Sequence, residues 1–297
     1  MRPLVALPVW PKAGSLVKAL DKANEYGFDY VELSLDYPWP ERLRGRVLEE
    51  VEEARDRYGL KLAVHAPWRD VALASPRLAL REASLSVLED CLSFASSVEA
   101  LYFNLHVLTR EAWNIEGVRE EAERAALTAV KRLAAKARGL GVELTVENNP
   151  EPMFGVPTMI KPLLEVEGVE LCLDVGHVAY ANWLVEHRGM EPFKKEVADL
   201  EGWVESFKGR ALVGHLHDYL AEEREFQDHL MPGAGGSDVE RQLKLLMEAG
   251  CRMLLLEVHW AGKGKPAKFA DLGRALKVVA PLLKGGGAER VEQPRAP

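Results

Sequence analysis

The sequence predicts a single (β/α)8 barrel. Eight short apolar runs alternate with long amphipathic segments along the chain, and glycines (Gly27, Gly59, Gly139, Gly141, Gly250) stand just ahead of the next apolar run. Repeated strand–helix alternation is what closes a parallel sheet on itself. A glycine before a strand suits the left-handed residue that ends the preceding helix. At 297 residues, 47% of them hydrophobic, the chain suits one α/β barrel better than two small domains. The barrel is assigned to residues 1–283. The tail, 284–297, has a GGG run followed by charges and prolines, so it is expected to be disordered. A doubly wound open sheet is the alternative. No GxGxxG or GxxxxGKS loop follows a strand, which counts against it.

The expected strands are 4–9, 30–33, 60–65, 100–106, 142–147, 169–174, 211–217 and 253–259. The segments between them read as helices. In the third, Leu80, Ala83, Val87, Cys91 and Phe94 share one face, with Ser75 as the cap and Pro76 in the first turn. In the fourth, Ile115, Val118, Ala122, Ala125, Ala129 and Leu133 do the same.

Composition narrows the function. A net charge of −8 repels polyanions at long range and makes nucleic acid an unfavoured partner, without excluding a local basic groove. The three cysteines (Cys91, Cys172, Cys251) sit in apolar runs at no metal-binding spacing, so they read as buried free thiols of a reducing compartment. No apolar stretch approaches the ~20 residues of a membrane span, and the N-terminus lacks a secretory pattern. The expectation is a soluble cytoplasmic protein.

Charged and imidazole side chains recur at one place, the C-terminal end of a strand. Glu32 lies in the second strand, and His65, His106 and Glu147 end the third to fifth. Asp174 ends the sixth, with His177 three residues on. His215 and His217 end the seventh, and Glu257 and His259 the eighth. His229 follows strand seven, while His187 stands apart as a solvent-exposed residue. A barrel brings these ends to one rim, where barrel enzymes keep their chemistry. A carboxylate buried there needs a partner. A divalent cation satisfies several at once, and mixed carboxylate and imidazole donors suit Mn2+, Co2+, Mg2+ or Zn2+. No organic cofactor is expected. Trp10, Trp39, Trp68 and Trp260 follow strand ends and read as a hydrophobic wall against a small ligand, or as loop packing.

In register with these positions run VHAP at 64–67, the strand end at His106, VENN at 146–149, DVGH at 174–177, GHLHD at 214–218, DHLMPGAG at 228–235 and LEVH at 256–259. The series resembles the xylose-isomerase-like barrel superfamily, which contains sugar isomerases and epimerases and the family 2 apurinic-site endonucleases. The resemblance implies Glu147, Asp174, His215 and Glu257 as metal ligands, with His177 and His217 on substrate or a further metal. His65, His106, His229, Asp218 and Glu32 are further candidates for metal or substrate. The endonucleases carry Asp-x-His near the last loop, where this chain has Gln227 and then Asp228 beside His229. The resemblance also allows a homo-oligomer assembled through the helices.

Two chemistries follow. A metal-dependent isomerase or epimerase of a small sugar, sugar phosphate or keto-polyol would use Glu147 and Glu257 to remove and return a proton through an ene-diolate, with His177 and His217 holding substrate oxygens. A zinc-dependent phosphodiester hydrolase of the apurinic-site type would use the surplus histidines for additional ions. Dehydration of an inositol-type substrate is a third reading.

Overall fold

The computed structural model describes residues 2–10, 16–36, 44–108, 115 and 117–284. The expected tail beyond 284 and the wall residue Trp39 lie outside the described residues. Eight parallel strands close the barrel: β1 (Leu4–Val9), β2 (Tyr30–Ser34), β3 (Lys61–His65), β4 (Phe103–His106), β5 (Leu144–Glu147), β6 (Val169–Asp174), β7 (Ala211–Leu216) and β10 (Met253–Leu256). Around the ring the order is β1-β10-β7-β6-β5-β4-β3-β2. The outer layer holds helices α1 (Leu16–Tyr26), α2 (Arg44–Tyr58), α3 (Leu78–Ser97), α4 (Val118–Leu140), α5 (Pro157–Leu164), α6 (Val175–His187), α7 (Leu200–Phe207), α8 (Val239–Ala249) and α9 (Phe269–Lys284).

Strands covered on both faces are apolar almost throughout, because outward side chains meet helices and inward ones fill the barrel. Inside, each strand alternates, and the alternation sorts chemistry by height. The floor is apolar, with Ala6, Tyr30, Ala63, Tyr102, Cys172, Val213 and Leu255 in one buried cluster. Two residues further along the same strands stand Glu32, His65, Asn104, Asp174, His215 and Glu257. Parallel pairing sets some of these side by side, Asp174 opposite His215 and His106 opposite Glu147, while the stagger of the barrel sets Glu32 opposite Ala63 and His215 opposite Leu255.

Four further strands build a small sheet after the last two barrel strands. β8 (Asp218–Ala221), β9 (Phe226–Leu230), β11 (Trp260–Gly262) and β12 (Lys265–Pro266) lie in the order β12-β11-β9-β8. The sequence reading ran the seventh and eighth barrel strands through 217 and 259, but the chain leaves the barrel earlier.

Other expectations shift in detail. Ser75 does not cap α3; the helix starts at Leu78 after Arg77, and the Ser75 carbonyl accepts the Arg81 guanidinium at 2.8 Å. Its buried face is Ser84, Leu85, Leu88, Cys91, Leu92 and Ala95, leaving Leu80 and Val87 exposed. The helix carries two apolar stripes one position apart, and the leucine-rich one buries more surface. In α4 the expected alanine face is buried, whereas Ile115 precedes the helix and is exposed. Gly27, Gly59, Gly141 and Gly250 have positive φ; Gly139 is an ordinary helical residue. All three cysteines are free and buried. Among the described residues, no helix is long and apolar enough to cross a membrane.

Candidate metal centre

Glu147 sits at the centre of the barrel mouth. It ends β5 and is fully buried. Its two oxygens face different neighbours. Oε2 lies 3.3 Å from His65 Nε2 and 3.5 Å from His106 Nε2, while Oε1 lies 3.2 Å from His177 Nδ1 and 3.3 Å from His215 Nδ1. Glu257 Oε2 is 2.8 Å from His215 Nδ1 and 3.5 Å from His229 Nε2. Asp174 Oδ2 is 3.6 Å from His215 Nδ1. Among the described residues, five sets of donor atoms, each within 4.8 Å of one another, adjoin: His65, His106 and Glu147; Glu147, Cys172 and His215; Glu147, Asp174, His215 and Glu257; Asp174, His177 and His229; and His229, Glu257 and His259. Glu147 joins the first three, Asp174 the third to the fourth, and Glu257 the third to the fifth.

Local structure aims these side chains. Asp174 both ends β6 and caps α6, accepting the His177 N–H at 2.6 Å, so DVGH is a strand end and a helix start in four residues. His65 Nδ1 donates to the Ala66 carbonyl at 2.7 Å, His106 Nδ1 to Asn149 Oδ1 at 3.1 Å and His177 Nδ1 to the Asn148 carbonyl at 2.9 Å. Each bond fixes the ring and leaves Nε2 as the ligand-type nitrogen, which in His65 and His106 faces Glu147 Oε2. His229 reaches the mouth from β9 with φ 53°, a left-handed conformation rare outside glycine. Its Nδ1 is 3.0 Å from Asp228.

The donor set fits a divalent cation. Glu147 Oε1, Glu257 Oε2 and both ring nitrogens of His215 are buried with no hydrogen-bond partner. Such groups are costly to leave unpaired, and a cation would supply a partner for the two carboxylate oxygens and for His215 Nδ1, the ring nitrogen that faces them. The carboxylates and imidazoles also shift one another's proton affinity. Burial alone raises the carboxyls of Glu147 and Glu257, yet neighbouring imidazoles outweigh it and hold both well below the usual range. Burial alone lowers His65, but the bond to Glu147 carries it to about 9; Asp174 does the same for His177, also about 9. Burial dominates at His106, which falls to about 4.

The remaining expected residues divide. His217 is fully buried with both nitrogens engaged: Nδ1 accepts the His229 N–H at 2.9 Å and Nε2 faces both Asp174 oxygens at 3.3 Å. It orients Asp174 and ties β9 to the barrel. Asp218 accepts the N–H groups of Tyr219, Gly233, Gly235 and Ser237, so it secures the loop beside the mouth and stands outside the donor sets. Glu32 lies a layer below, held by the Tyr102 hydroxyl, with Oε2 3.9 Å from His215 Nε2. Trp10 meets His259 edge-on at 4.3 Å, Trp68 is stacked by Arg69 at 4.0 Å, and Trp260 belongs to β11. His187 is stacked on Trp183 and belongs to none of the donor sets; it is partly exposed.

Sequence reasoning missed three asparagines. Asn104 Nδ2 donates to Glu147 Oε2, and Asn148 brackets the backbone of Asp174, accepting its N–H at 2.8 Å and donating to its carbonyl at 3.0 Å. Asn149 Nδ2 donates to the Val107 carbonyl at 2.7 Å. The signal for Asn104 was its place two residues before His106, on the same strand face.

Comparison with known proteins sets this chain among relatives. A family model described as a xylose isomerase-like TIM barrel matches residues 20–278. A probable endonuclease 4 from Aquifex aeolicus (strain VF5) is 27% identical over 207 residues, covering 66% of this chain and 71% of that protein. Among solved structures, a Thermus thermophilus protein soaked with ZnCl2 superposes with a TM-score of 0.64 at 21% identity, covering 97% of this chain and 100% of that one. D-psicose 3-epimerase in the presence of D-fructose gives 0.67 at 16% identity, covering 96% and 100%. At these identities the structural likenesses show the fold alone.

Proposed function

The chain belongs to the xylose isomerase-like TIM barrel family, and from that premise we propose that it is a phosphoester hydrolase with a multinuclear divalent-metal centre, zinc being the ion its imidazole-rich donors favour. One observation carries this reading: Glu147 presents one oxygen to Nε2 of His65 and His106 and the other to Nδ1 of His215. A carboxylate so placed would be able to hold an ion on each side. A single ion held by Glu147, Asp174, His215 and Glu257 would leave His65, His106, His177 and His229 as partners of the carboxylates and not as ligands. A sequence relative with a named activity, the probable endonuclease 4, supports the hydrolytic reading.

Bound ions would lower the pKa of water and neutralise charge on a phosphoryl group. The chain's own share is to hold them and keep them dry. Asn104 fixes one Glu147 oxygen, His217 fixes Asp174, and the apolar floor excludes solvent from below. Asp228 is positioned to hold the proton of His229 at Nδ1. Burial alone would raise the Asp228 carboxyl, but the His229 imidazole outweighs it and holds it well below the usual range.

A second reading has its own support. Glu147 and Glu257 both approach His215 Nδ1, at 3.3 and 2.8 Å, so two carboxylates flank one point, as proton removal and return by an isomerase or epimerase would need. Reconstitution with zinc separates the two. The hydrolase reading expects two or three ions per chain by elemental analysis, and turnover of bis(4-nitrophenyl) phosphate. One ion per chain, with epimerisation of a ketohexose and no ester cleavage, would overturn it.

A further inference from the structure

A cleft lies outside the ring of strands, between α6, α7 and α8, with Tyr219 of β8 at its edge. Its volume is about 300 Å³, the lower end of the range that small-molecule sites occupy. None of the residues that line it belongs to a donor set of the metal centre. Val175, Val178, Ala179, Leu200 and Leu245 make the lining largely apolar. Gln242 stands among them at 6% exposure, and its Oε1 is buried with no hydrogen-bond partner.

The polar groups around the cleft are mostly acceptors. Asn182 Nδ2 gives its two hydrogens to the Val178 and Ala198 carbonyls, both at 2.8 Å. Arg241 Nε donates to Glu201 at 2.6 Å, which ties α8 to α7 across the rim. Asp199 and Asp238 cap α7 and α8, each using Oδ1 to accept a backbone N–H at 2.9 Å. Three carboxylates (Asp199, Glu201 and Asp238) thus share the rim with one guanidinium.

These features define what would fit. A buried amide oxygen without a partner is costly and calls for a donor. An ammonium group has three donors, no acceptor and a charge that the rim attracts. An anion would meet the carboxylates, and a hydrocarbon would leave Gln242 unpaired. We propose that this cleft is a binding site for a small primary amine with an apolar body. The body packs on the valines and leucines, and the ammonium pairs with Gln242 and the rim. The site stands whether or not the metal centre cleaves esters.

The zinc-loaded full chain is titrated calorimetrically with 3-phenylpropylamine and 3-phenylpropan-1-ol, which share a body and differ at the head. The amine is expected to bind with a Kd of about 1 mM or tighter, and the alcohol about fivefold or more weakly. Gln242→Leu should weaken the amine by about tenfold, the loss of one hydrogen bond. Ala179→Phe, which fills the cleft, should abolish binding. Arg241→Gln removes an exposed counter-charge from the rim and should tighten the amine by about two- to fivefold. Zinc content and urea midpoint confirm that each variant is folded; should Ala179→Phe not fold, Arg241→Gln decides alone. No binding of the amine, an alcohol that binds as tightly, amine binding that survives Ala179→Phe, or an affinity unmoved by Arg241→Gln would each overturn the site. None of these results depends on turnover of bis(4-nitrophenyl) phosphate, so the amine site and the hydrolase reading fail separately.

Discussion

At the scale of single residues, Glu147 and Asn104 divide the labour of the centre. Glu147 shares its oxygens among three donor sets, so Glu147→Gln should remove more than one ion from the zinc-loaded protein, read by elemental analysis. Loss of a single ion would show that it serves one set only. Asn104 touches Glu147 without belonging to any donor set among the described residues, and its Oδ1 is in turn fixed by the Thr145 hydroxyl at 2.8 Å. Residues that orient ligands typically contribute ~10–100-fold to metal affinity. Asn104→Ala should therefore weaken zinc binding within that range at unchanged stoichiometry. His187→Ala, outside every donor set, is the matching control and should alter neither.

At the scale of elements, the junction of β6 with α6 sets the site. Asp174 is at once the last strand residue, the helix cap and a donor, and His217 packs against the first turn of the helix. Gly176 makes that contact feasible, since a Cβ there would stand 2.1 Å from His217 Cε1. Gly176→Ala should push the His217 ring off Asp174 and cost ~1–3 kcal/mol as overpacking does. A lowered urea midpoint together with weaker zinc binding is the expected pair of results. An unchanged midpoint would mean that the junction yields more easily than its geometry implies. The small sheet is the other element of consequence. It brings His229 to the mouth from outside the barrel, and Asp218 anchors its loop through backbone N–H groups.

At the scale of the whole molecule, the mouth couples stability to pH and to metal. His65 and His177 hold their protons to about 9 in the metal-free protein, against 6.5 in an unfolded chain. Raised values of this sign stabilise the fold fully below pH 6.5, and the contribution is lost as pH climbs through 9. His106, lowered to about 4, acts oppositely: its contribution is present above pH 6.5 and is lost as pH falls toward 4. The chelated protein should therefore lose urea resistance between about pH 6.5 and 9.5. The zinc-loaded protein, in which the proposed imidazole ligands would bind in the neutral form, should not show that alkaline loss. A chelated protein equally stable at both ends of the window would contradict these ion pairs.

The amino-acid sequence alone determined the eightfold alternation, the barrel and the roster of rim residues, because strand period and helix period are local properties of the chain. It placed Glu147, Asp174, His215 and Glu257 on one rim, and the fold brings their ligand-type atoms within 4.8 Å. Tertiary structure alone decided how these residues divide. That His217 spends both nitrogens on Asp174 and the His229 backbone, that Asp218 is occupied by a loop, and that Glu147 faces more than one donor set depends on which strands become neighbours. The small sheet was illegible for the same reason: its strands are two to five residues long, and their pairing is fixed by partners distant in sequence and not by their own periodicity.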